Sequence, residues 1–221
     1  MDESTEYPWP IEGDDPLALD DDWRLNAAVN WDRGEPWFPI ARGFRLIADG
    51  AVARLEEKRA HVDFLVYPIL ANYRHYIEVS LKGLIRDARR LLDEQGTAPH
   101  GHNLLNLWNT ARPLLLRIAP EAKADLDNVG ATIERFSRVA PTAEAGRYPV
   151  DTEGNAPIPE EITLINLGRM RDVVGRLDGF FDACAMDISV RLDYKYDAEE
   201  EWRSVQAEMS REMLAEFGDG S

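Results

Sequence analysis

The sequence predicts an all-α protein, an up-and-down helical bundle of about five core helices with acidic N- and C-terminal extensions. Three observations carry this. Apolar residues recur at intervals of three and four in separate stretches, the period of a helix with one buried face. No stretch alternates with period two over the length of a strand. Pro, Asn and Gly stand near the places where these stretches begin and end, where helix boundaries favour them.

Residues 1–22 hold nine acids, no Lys or Arg, and several Pro, and read as a mostly disordered acidic segment. Trp23, Trp31, Trp37 and Phe38 follow at irregular spacing and are expected to plug the outside of the bundle. The first solid helix is predicted over Pro39 to about Lys58, its stripe being Ile40, Phe44, Ile47, Ala48, Ala51, Val52 and Leu55, with Pro39 suited to a first turn. Gly43 and Gly50 lie on it seven apart, where a neighbouring helix is expected to approach closely.

The organising stretch is Asp63 to Gly96. Leu65, Ile69, Leu70, Tyr73, Tyr76, Ile77, Leu81, Leu84, Ile85, Ala88 and Leu92 make a stripe broad enough for the centre of a bundle. Pro68 places the start of regular helix near itself, and Gly96 is the expected stop. Arg74, Glu78 and Lys82, four apart, stack on one flank beside His75. Two readings fit this flank. One is a solvated face with an i,i+4 pair contributing roughly 0.2–0.5 kcal/mol. The other is a partly buried polar layer that meets another segment or a ligand.

The linker 96–102 carries His100 and His102. Asn103 can cap a helix through Leu104, Leu107, Trp108, Ala111 and Leu115 to Ile118, bent at Pro113. Another follows over Glu121 to Val139 on Leu126, Val129, Ile133 and Phe136. Residues 140–161 form a long irregular stretch, the kind of loop that often carries function. Asn166 can cap a last core helix to about Leu192, with Leu167, Met170, Val174, Leu177, Phe181, Cys184 and Ile188 as an unbroken seam. Residues 193–221 read as an acidic tail with a weak amphipathic helix on Trp202, Val205, Met209 and Phe217. The expected division is therefore 1–22, a bundle domain 23–192, and the tail 193–221.

The net charge of −16 is unevenly spread. Residues 1–22 carry −9 and residues 193–221 carry −6 (nine acids, three bases), so the body between them carries −1. That removes an objection to nucleic-acid binding without arguing for it. The single cysteine, Cys184, excludes an internal disulfide and reads as a small core residue. No secretory leader and no membrane-length apolar run is seen, which predicts a cytoplasmic protein without a membrane association. Phosphate-loop, nucleophile-elbow and metalloprotease motifs are absent, and the histidines lack metal-ligand spacing, so neither cofactor nor metal is expected.

Three segments occur in a fixed order: YRHYIEVSLKGLI at 73–85, GHNLLNLW at 101–108 and GRYPVD at 146–151. Together they resemble the HEPN superfamily, the higher eukaryote and prokaryote nucleotide-binding domains, over about residues 39–192. The positions that match are Glu78 and Lys82, then His102 and Leu104, then Arg147, Tyr148 and Pro149. The resemblance implies a bundle that dimerises and works in prokaryotic defence or toxin–antitoxin type systems, some members cutting RNA. Cutting members resemble one another in an Arg followed a few residues later by His near the last long helix. Here no histidine follows His102, and the pair Arg54 and His61 has the spacing in the wrong place. The resemblance therefore implies a non-catalytic or degenerate homodimeric module. It would hold a nucleotide, RNA or partner protein near Arg74, His75, Glu78, Lys82, His102, Arg147 and Tyr148. The alternative is a metal-independent endoribonuclease using Arg74, His75 and His102, since imidazole can move the proton of an attacking 2′-hydroxyl and guanidinium can stabilise charge on phosphate. A third reading has the acidic ends engage a basic protein partner. All share one spatial expectation: the flank of the central helix, the start of the next helix and the Arg-Tyr-Pro turn meet in one polar pocket.

Overall fold

In a computed structural model, residues 12–13, 15–29, 37–58, 60–96 and 99–218 are described, with side chains to residue 212. Most of the acidic N-terminal segment, Trp31, the linker residues Thr97 and Ala98 and the side chain of Phe217 therefore lie outside the description. The chain divides into two units, Met1–Pro36 and Trp37–Ser221. The first contains a 3-10 helix, Trp23–Leu25, capped by the Asp22 carboxylate, and Trp23 is exposed. The second is a helical bundle: α1 (Trp37–Glu57), α2 (Val62–Leu91), α3 (Leu104–Ile118), α4 (Lys123–Val139) and α5 (Leu167–Gly218). No strand occurs among the described residues.

α2 is the centre. It packs against α1, α3 and α5, and α4 packs on α3. Its core-facing side chains, Ile69, Leu70, Tyr73, Ile77, Leu81 and Ile85, are fully buried, as the width of the stripe predicts. The helix runs through Pro68 from Val62 instead of starting at the proline. It also stops before Gly96. Asp93 takes the left-handed conformation (φ 56°), and the Glu94 N–H donates to the Arg89 carbonyl at 2.9 Å, which closes the helix. A short polar side chain tolerates that conformation better than most, so aspartate does here what glycine usually does.

Each core position expected for α3 and α4 is buried, and on α5 the seam holds from Leu167 to Ile188, with Met170 and Cys184 only partly covered. Burial pushes the Cys184 thiol up to about 11, which suits an inert packing residue. α1 is rotated from the expected stripe. Ala41, Ala48, Val52 and Leu55 are buried with Phe44 and Ala51 partly so, while Ile40, Leu46 and Ile47 face outward. Gly43 and Gly50 have open space beside them and serve no close approach. Gly130 does, because a Cβ there would meet Trp108 Nε1 at 2.6 Å. Of the early aromatics in this unit, Trp37 is partly buried beside Gly83 and the Arg86 guanidinium, and Phe38 is exposed.

The helix expected to end at Leu192 does not end there. α5 is continuous over 52 residues, about 78 Å at 1.5 Å per residue, so the acidic tail is an extension of the last core helix. Lys195 fastens it. Its Nζ donates to the Arg90 and Leu91 carbonyls at 3.1 and 3.4 Å and pairs with Asp93, placing a cation at the negative end of α2. No helix of the described residues is long and apolar enough to cross a membrane.

Candidate ligand-binding cleft

The polar flank of α2 is buried. Arg74 is 3% exposed and Glu78 2%. Each is held by several segments at once. Arg74 Nη1 donates to Glu78 Oε2 at 3.1 Å, its Nη2 to the His102 carbonyl at 2.5 Å, and its Nε to the Ala140 carbonyl at 3.2 Å. One planar guanidinium thereby ties α2 to the residues before α3 and after α4, a fork geometry that lysine lacks. Glu78 Oε1 accepts from Lys82 Nζ at 2.9 Å and lies 2.8 Å from His102 Nδ1.

The electrostatics follow from this. Burial alone would raise Glu78, but its bonds to Lys82 and His102 outweigh it and hold the carboxyl below its usual range. Burial lowers Arg74, against the opposing pull of Glu78, yet a guanidinium starts high enough to stay charged. An ionised carboxylate can only accept, so His102 Nδ1 carries the proton that points at Glu78. In neutral His102 the Nε2 lone pair is then the free one. The His102 side chain is 64% exposed, so the buried carboxylate fixes a ring that solvent still reaches.

The third segment arrives through Gly146. It has φ +78°, and a Cβ there would stand 2.4 Å from the Tyr67 carbonyl oxygen of α2. Only glycine lets the loop lie this close. The next residue, Arg147, has its N–H bonded to the Glu144 carbonyl at 2.8 Å, and its guanidinium lies 5.4 Å from the Tyr148 ring centroid. Arg147 makes no ion pair among the described residues.

The three segments do converge. A cleft of about 510 Å³ is lined by Phe44 of α1, by Pro68, Ala71, Asn72, Arg74, His75 and Glu78 of α2, by His102, and by Ala143, Gly146 and Arg147 of the loop. His75 meets the Phe44 ring edge-on at 4.2 Å, and burial keeps it below the ordinary histidine range. Of the predicted residues, Arg74 and Glu78 form the wall and are engaged internally. His75, His102 and Arg147 are the groups a ligand would meet. Lys82 supports Glu78 without lining the cleft, and Tyr148 supports Arg147 in the same way. Among the described residues no group of three His, Cys, Asp or Glu side chains is placed to hold a metal.

A second polar centre escaped the sequence. Asp178 on α5 is 9% exposed, accepts from the Tyr76 hydroxyl at 2.8 Å and pairs with Arg42 and Arg45 of α1. Tyr73 donates to Asp49 at 2.7 Å, and Arg45 pairs with Asp49 at 3.3 Å. Burial and these carboxylates raise both tyrosines far above their usual range, so they stay as neutral donors. The network joins α1, α2 and α5. One signal was available: an acid adjoining Leu177 in an apolar seam, facing a helix with two buried hydroxyls to satisfy.

No family model matches this chain, and no curated protein or solved structure is significantly similar to it. The HEPN resemblance rests on the three segments alone.

Proposed function

We propose that this chain is a non-catalytic helical binding module whose α2–loop cleft takes the phosphate of a nucleotide or an RNA. The observation that carries this is Arg147, an exposed cation at the cleft, stacked on Tyr148 and without a carboxylate partner, next to the rings of His75 and His102. The buried Arg74–Glu78 pair supplies the rigidity such a site needs. The HEPN resemblance adds the setting, a homodimer in a prokaryotic defence or toxin–antitoxin type system. Fluorescence anisotropy with labelled ATP and short single-stranded RNAs tests the reading on the wild type, Lys82→Ala and Arg147→Ala. Wild type binds, Arg147→Ala loses about tenfold or more, and Lys82→Ala loses less, because Lys82 acts through Glu78. Absence of binding by the wild type removes the nucleotide version.

One observation favours a second reading, a metal-independent endoribonuclease. A buried carboxylate that orients an exposed imidazole is the arrangement of a general base, and Arg147 stands beside the same cleft. In that reading His102 takes the 2′-hydroxyl proton and Arg147, instead of the engaged Arg74, stabilises the phosphorane. Harmless expression in cells with intact total RNA removes it.

A further inference from the structure

We infer that the groove between α4 and the first half of α5 is a separate anion site, which takes the backbone of a short single-stranded oligonucleotide. Three arginines line it: Arg135 of α4, and Arg169 and Arg176 of α5. The groove encloses about 580 Å³, and none of its lining residues is an acid. It exists because α4 packs on α3 and stands off from α5. Arg135 follows Thr132 and precedes Val139 at helical spacing, and Val173 sits between Arg169 and Arg176 in the same way, so one face of each helix looks into the groove.

The pairing pattern sets these arginines apart. The chain has 41 acids against 25 Lys and Arg, so carboxylates are plentiful. Four acids of the same two helices that stand near them in sequence or pair along the helix are taken by other cations: Glu134 by Arg138 at 2.6 Å, Asp127 by Lys123 at 2.7 Å, Asp172 by Arg171 at 3.7 Å and Asp187 by Arg191 at 2.9 Å. Arg135, Arg169 and Arg176 make no ion pair among the described residues and are exposed. Three cations around an apolar floor that includes Phe136 and Leu177 focus a positive field in a chain whose surplus acids sit at its two ends. Arg169 and Arg176 stand seven residues apart, about 10 Å along the helix, which suits successive phosphates of a strand better than one phosphate.

The test is anisotropy of a fluorescein-labelled oligouridine of about 12 nucleotides, from about 50 to 200 mM salt, on the full chain. The wild type binds, and Arg169→Glu with Arg176→Glu weakens binding about tenfold or more. The charge-neutral pair Arg169→Gln with Arg176→Gln flattens the salt slope by about 1.4, two contacts at about 0.7 each. The pair Arg169→Lys with Arg176→Lys keeps most of the slope. Both positions are exposed, and an unchanged thermal melt verifies folding. Arg147→Glu, which probes the cleft, leaves the slope lost on Arg169/Arg176 substitution in place, so the two sites fail independently. Binding by the Arg169/Arg176 variants equal to wild type, or no binding by wild type at about 50 mM salt, overturns the inference. Displacement of the RNA by equimolar ATP or inorganic phosphate overturns the oligonucleotide assignment.

Discussion

Arg74→Met isolates the guanidinium that joins three segments. Methionine keeps much of the apolar stem and removes every donor. The substitution strands the Ala140 and His102 carbonyls, which Arg74 reaches at 3.2 and 2.5 Å, and withdraws one of the three partners of Glu78. Breaking a buried pair costs about 3–5 kcal/mol, and an orphaned buried acceptor about 1–3 kcal/mol. Glu78 keeps Lys82 and His102, and water can reach the His102 side, so the lower range applies: about 3–5 kcal/mol in total. For a chain of this size that is a fall in Tm of about 6–20 °C. Urea unfolding followed by circular dichroism measures it. The double variant Arg74→Met with Glu78→Leu recovers part of the loss, because no uncompensated charge stays buried. A loss under about 1 kcal/mol for Arg74→Met, or strict additivity in the cycle, would refute the claim that this pair is the buried tie between the segments.

Two further outcomes follow from the same geometry. Gly146→Ala destabilises by about 2–4 kcal/mol, from the left-handed backbone and from contact with the Tyr67 carbonyl, and thermal melts that match wild type would show the loop is not pressed on α2. Acid weakens the protein through two groups. His75 is held below its ordinary 6.5 and Glu78 below its ordinary 4.5, so the unfolded chain binds more protons than the folded one. Their contributions are full above about pH 6.5 and 4.5 respectively and are lost as the pH falls through the lower folded values. The stability of wild type relative to His75→Gln therefore declines from pH 7.5 to 5, and a constant difference would contradict the burial of His75.

Much of this was legible in sequence, for reasons that differ by element. On α3, α4 and the α5 seam from Leu167 to Ile188 the apolar residues recurring at three and four mark a face that is buried or, at Met170 and Cys184, partly so, and period alone names it. On α1 they occupy two faces, and the buried one is that of Ala41, Ala48, Val52 and Leu55, which period alone does not single out. The end of α2 was misplaced because Asp93 takes a conformation for which glycine is the usual sequence signal. Over residues 193–221 a weak amphipathic helix was legible, but not its continuity with the last core helix, because its anchor is one lysine on a distant carbonyl pair. At the cleft, the spacing of Arg74, Glu78 and Lys82 showed a shared flank, but burial of the first two depends on the Ala140 and His102 carbonyls. No local pattern encodes contacts made across 66 and 28 residues.

The cleft itself is best tested by histidine-selective NMR. The chain has four histidines, and two of them, His75 and His102, line the cleft, while His61 sits at the start of α2 stacked on Phe64. Titration with a short single-stranded RNA, or with ATP, is predicted to move the ring signals of His75 and His102 and to leave His61 in place. A saturating titration that leaves both cleft histidines unmoved would contradict the proposal that this pocket holds a phosphate ligand.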